Sequence, residues 1–161
     1  MVSIETLRLV CYIVDAFATL LLAGYFLREY MAKRLRASLA WCLGFILFTI
    51  LMLQLAFFTT IVELSKLQVM IAFTFAAALV SLLYYGGALL YFGKKSFFRE
   101  KATVLFFFVV LLIGSVLTSI TEEKDLIERV GPPTGIIYGI AYVVIGTFFL
   151  QVSGKLPKED P

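Results

Sequence analysis

From Leu67 to Gly93 the chain carries no charged side chain. A run of that length is the strongest constraint on the fold. About 20 apolar residues are what an α-helix needs to cross a hydrocarbon core roughly 30 Å thick. Four further stretches of the same kind join the one at 68–92, at roughly 6–27, 39–62, 103–121 and 134–152. Alternating strands of about ten residues, the signature of a membrane barrel, are missing from the sequence. Hydrophobic residues make up 61% of the chain and charged residues 16%, whereas a soluble domain is about half apolar and a quarter charged. The reading is an all-α integral membrane protein, a five-transmembrane-helix bundle in a single membrane domain over residues 1–161.

The connecting segments set the expected orientation. Arg28, Lys33, Arg34 and Arg36 lie between stretches one and two, and Lys94, Lys95, Arg99 and Lys101 between three and four; Lys155 and Lys158 follow the last. Arg8, Lys66, Lys124 and Arg129 fall on the other side. The positive-inside rule puts the larger group in the cytoplasm, with the N-terminus outside and the C-terminus cytoplasmic. The first stretch is expected to remain as a helix, since it is too long for a cleaved signal and follows Glu5 and Arg8. The multi-pass protein is assigned to the plasma membrane. Basic clusters at a membrane surface also attract acidic headgroups, by about 1 kcal/mol per charge, although topology alone accounts for them here.

Residue types exclude much chemistry. The chain has no histidine, which removes His-ligated haem and the common His-based metal sites and general bases. Cys11 and Cys42 fall at different expected depths, so they read as small buried apolar residues and not as a disulfide. The sequence contains no nucleophile elbow, zinc-protease helix or Cys-x-x-Cys pair. No enzymatic activity, cofactor, metal or nucleic-acid partner is expected.

Two hairpins look alike. "LLLAGYFLREYMAKRLRASLAW" and "YGGALLYFGKKSFFREKATVLF" align when Tyr25-Phe26 is set on Tyr91-Phe92. They suggest parallel repeats about an axis along the membrane normal, although any helix leaving a membrane at a basic surface ends similarly. The hairpin "GYFLREYMAKRLRASLAWCLGF" resembles those in the multi-helix transmembrane sensor regions of prokaryotic signalling proteins. That resemblance covers one hairpin well and a second loosely, and implies a prokaryotic membrane sensor feeding an output domain. The 161 residues hold no such domain, so signalling is expected to pass through a separate partner.

Within the apolar stretches, Asp15 stands out. Arg8, Cys11, Asp15 and Thr19 share one helix face, with Tyr12 beside them. A carboxylate near mid-bilayer costs roughly 2.5–3.5 kcal/mol and is expected to turn toward the bundle interior. Gln54, Thr74, Ser115, Thr118 and Tyr142 fall at comparable depth. Together with Asp15, Thr19 and Tyr12 they form a candidate in-membrane polar site for a proton, a cation or the polar head of a small ligand. A plain packing role for Asp15 explains the same residues. Gly135, Gly139 and Gly146 line one face of the last stretch, and Ala40 and Gly44 one face of the second, as candidate helix-packing positions. Gly86-Gly87 suits a close helix crossing, or a hinge.

These features support a small membrane sensor or accessory subunit acting through a partner. The alternative is a small oligomeric transporter or channel for a cation, proton or small solute that uses Asp15. Beyond the lipid bilayer, the partner is a second protein or further copies of the chain.

Overall fold

A computed structural model describes residues 4–61, 65–92, 94, 96–122, 125, 136, 139, 140, 142–147 and 150. Four long helices follow in chain order: α1 (Ile4–Lys33), α2 (Arg36–Ile61), α3 (Lys66–Tyr91) and α4 (Lys101–Ile120). A fifth helical segment is described at 136, 139, 140, 142–147 and 150. No strand occurs among the described residues. The four long helices are each long and apolar enough to cross a membrane, and a helix is the one open element that satisfies all its own backbone groups in lipid. They match the expected stretches at 6–27, 39–62, 68–92 and 103–121. The expected stretch 134–152 lies partly outside the described residues.

The largest departure from expectation is at the end of α1. Residues 28–33, expected as a loop, continue the helix. They contain no glycine or proline, and Lys33 donates to the Glu29 carboxylate four residues back at 3.0 Å, a favourable helical pair. The helix ends where Arg34 adopts φ 54° and its N–H donates to the Tyr30 carbonyl at 2.7 Å. The Arg34 guanidinium lies 5.8 Å from the Tyr30 ring centre. Only Arg34 and Leu35 separate α1 from α2.

The other two connections are also locally specified. Ser65 caps α3 with a reciprocal box: the Gln68 N–H donates to the Ser65 hydroxyl, and the Ser65 N–H to the Gln68 side chain at 2.8 Å. Beyond α3, Phe92 stacks on Phe98 with ring centres 5.5 Å apart. The Tyr84 hydroxyl donates to the Phe98 carbonyl at 2.9 Å. The approach to α4 is thereby folded back along the flank of α3.

The helices pack in chain order, α1 on α2, α2 on α3 and α3 on α4. The share of each span that is buried is 44% for α2 and 39% for α3, against 22% for α1 and 17% for α4, so α2 and α3 form the centre. On α1 the covered positions, apart from Glu29 beside the seam, are Leu9, Tyr12, Ala16, Thr19, Ala23, Phe26 and Tyr30. Their alternating spacing of three and four is a heptad seam, and its small middle residues let α2 come close. Phe26 anchors the seam, stacked on Phe45 at 5.6 Å and edge-on to Trp41 at 5.0 Å.

Between α2 and α3 the contact centres on Trp41. Its indole N–H donates to the Leu83 carbonyl at 3.1 Å, and the ring lies over Gly86, where an added Cβ would stand 2.3 Å from Nε1. Helix α3 runs unbroken through Gly86-Gly87, and Gly86 serves the close crossing on Trp41. Gly114 plays the same part between α4 and α3, facing the Phe73 ring. Ile145, from the fifth segment, joins the core formed by Phe26, Trp41, Leu79, Val80 and Leu83.

Candidate functional site

The polar residues singled out in the sequence do not converge. Thr19 is buried on the α1 seam, and its hydroxyl lies 3.0 Å from that of Thr49 on α2. The Thr19 oxygen is also 2.8 Å from the Asp15 carbonyl and 3.1 Å from the Ala16 carbonyl, and the Thr49 oxygen is 2.9 Å from the Phe45 carbonyl. Two hydroxyl protons therefore face three carbonyl acceptors and each other's oxygen. One threonine donates across the interface while the other donates back to its own helix. Thr49 was not among the expected site residues. Its signal was a lone hydroxyl inside an apolar helix, which alone does not reveal the helix it meets.

Asp15 is placed differently from expectation. The sequence predicts an inward carboxylate, but the side chain is exposed on α1 and makes no hydrogen bond or ion pair with a described residue. At about 100° per residue, Asp15 lies on the shoulder of the seam, beside Thr19 and Tyr12 but outside the contact with α2. Arg8 and Cys11 are exposed on the same shoulder, whereas Tyr12 is half-buried at the seam itself. The stripe read from the sequence thus straddles the edge of the α1–α2 contact, with Thr19 inside and Asp15 outside.

The remaining candidates are dispersed. Gln54 is half-buried on α2, and Thr74 is exposed on α3, where it donates to the Met70 carbonyl at 2.9 Å. Thr118 is fully buried on α4 and donates to the Gly114 carbonyl at 2.7 Å. Ser115 is half-buried one turn away, and its carbonyl accepts from Ser119 at 2.7 Å. Tyr142 is exposed on the fifth segment. Hydroxyls folded back onto the preceding turn are satisfied locally and present no shared donor set. Among the described residues, no three His, Cys, Asp or Glu side chains gather as a metal site.

The expected packing positions also divide. Ala40 is buried, and a Cβ on Gly44 would meet Leu83 Cδ2 at 3.0 Å, so both lie within helix contacts. No described residue stands within 4 Å of a Cβ built at Gly139 or Gly146, so no close helix contact occurs at these two positions among the described residues. Gly135 lies outside the described residues. Comparison with protein families, characterised proteins and solved structures returns no significant match.

Proposed function

We propose that the protein is a small multi-pass membrane subunit that acts through a protein partner, and that the Asp15 shoulder of α1 is part of the surface that partner covers. The chain is read as spanning a plasma membrane with its N-terminus outside, because ten of its fourteen Lys and Arg gather at one end of the apolar stretches; the prokaryotic setting rests on the resemblance to sensor hairpins.

One observation carries this reading: a carboxylate within a helix long and apolar enough to cross a membrane, exposed on that helix, with no partner among the described residues. Left facing lipid, such a group is unfavourable by roughly 2.5–3.5 kcal/mol. A neighbouring transmembrane helix carrying a lysine, an arginine or a hydrogen-bond donor at that depth offsets the penalty and fixes the register between the two proteins. The resemblance to sensor hairpins points the same way.

The experiment is native mass spectrometry of the protein gently extracted from its own membrane, alongside Asp15→Leu. A second protein at fixed stoichiometry, released by the substitution, is the expected result. A homo-oligomer with no second protein would replace this reading with the transporter alternative.

A further inference from the structure

Among the described residues, two buried polar side-chain atoms lack a hydrogen-bond partner: Ser81 Oγ and Arg99 Nε. Ser81 is on α3, and Arg99 lies just before α4, where the two helices meet at their basic end. Thr74, Thr103, Thr118, Ser119 and Thr121 all donate to the carbonyl four residues back, a common solution for a helical hydroxyl. Ser81 is 5% exposed and does not do so.

Ser81 lines a groove of about 420 Å³ between α3 and α4, with Tyr85, Thr103, Val104, Phe107 and Phe108. Val104 and Phe108 also wall a second hollow of about 420 Å³, bounded by Lys101 and Glu100. The two hollows lie open on the surface and share Val104 and Phe108 as a ridge. Lys101 bounds the second, and Arg99 lies two residues before it in the chain. The Arg99 side chain is only 12% exposed, with Nε 3.9 Å from the Glu100 carboxylate, and Glu100 itself is 67% exposed. Open apolar hollows with two bases against one acid at this end, and an unmatched hydroxyl among the lining residues, complement an amphiphile that carries an anion.

We propose that this seam is a seat for one anionic phospholipid. Its two acyl chains lie in the two hollows on either side of Val104 and Phe108, and its phosphate sits against Arg99 and Lys101. Ser81, which lines the first hollow, turns its hydroxyl out to donate to an ester carbonyl of the lipid. The seat lies on α3 and α4 and the Asp15 shoulder on α1, so it stands whether or not a protein partner covers α1.

The test uses the whole protein in detergent, titrated with phosphatidylglycerol or phosphatidylcholine and read by native mass spectrometry. Wild type is expected to retain one phosphatidylglycerol in preference to phosphatidylcholine. Removing two basic groups in Arg99→Gln/Lys101→Gln should weaken that retention about thirtyfold, and the exposed Lys101→Gln alone about fivefold. A double variant in the other basic segment, Arg28→Gln/Arg36→Gln, removes the same charge and should leave retention unchanged. Val104→Trp should reduce retention by filling both hollows. Equal binding of the two lipids, or equal loss in the Arg28/Arg36 variant, would overturn the proposal. So would displacement of the lipid by inorganic phosphate, or a second copy or another protein found on this seam in place of lipid.

Discussion

Gly86→Ala tests the central helix contact by a single methyl group. The new Cβ would stand 2.3 Å from Trp41 Nε1 and 2.4 Å from Cδ1, well inside van der Waals contact, so the indole has to move. It has little room, being 7% exposed and held between the Phe26 ring and its own bond to the Leu83 carbonyl. Overpacking of this kind is destabilising by about 1–3 kcal/mol. Rotation of the ring leaves a buried N–H unpaired, at about 1–3 kcal/mol more. The sum is about 2–6 kcal/mol, which for a small membrane protein is much of its stability. Trp41 is the chain's one tryptophan, so its emission reports the site directly during unfolding in detergent mixed with increasing dodecyl sulfate. The expected result is an earlier midpoint together with shifted native-state emission. In a Trp41→Phe background, which removes the indole, the same alanine should be much less disruptive by thermal aggregation. Gly86→Ala with wild-type emission and a free energy within about 0.5 kcal/mol of wild type would refute the Trp41–Gly86 contact.

Three further outcomes follow from the packing. Thr49→Val removes the hydroxyl facing Thr19 and should destabilise the α1–α2 pair by about 0.6–1.7 kcal/mol; Thr19→Val should give a similar loss and the double variant less than the sum, measured by the same unfolding assay. Ser65→Ala removes the α3 capping box and should lower stability by about 1 kcal/mol, with Ser65→Thr close to wild type. Asp15→Leu should leave the isolated chain as stable as wild type or more so, because the carboxylate has no described partner to lose; a clear destabilisation in detergent would mean that Asp15 is bonded within the chain.

The helices were legible in the sequence because length and apolarity are local properties. A span such as Leu67–Gly93 has few other ways to satisfy its backbone in lipid, and α3 falls within two residues of the expected stretch. The end of α1 runs past the expected loop because Glu29 and Lys33 are spaced as a helical pair, a local signal masked by the run of bases around it. The facing of Asp15 was harder. Helical spacing places Arg8, Cys11, Asp15 and Thr19 on one stripe, but the direction of that stripe depends on where α2 packs. The clue was the small residues Ala16, Thr19 and Ala23, whose spacing marks the closest approach and leaves Asp15 on its edge. The Trp41–Gly86 and Thr19–Thr49 contacts join different helices, and no local periodicity specifies such partners.

The direct test of the partner surface is photo-crosslinking in the native membrane from the two exposed shoulders of α1. Cys11, Ala18 and Leu22 flank Asp15 on one shoulder, and Ile13, Phe17 and Leu20 lie on the other; all six are exposed. A photoreactive residue at each position samples what lies against it. If the Asp15 shoulder meets a partner, the first three positions crosslink to one and the same protein and the second three only to lipid. Crosslinks to lipid alone from both shoulders, or to the same protein equally from both, would contradict the assignment of Asp15 to a protein contact.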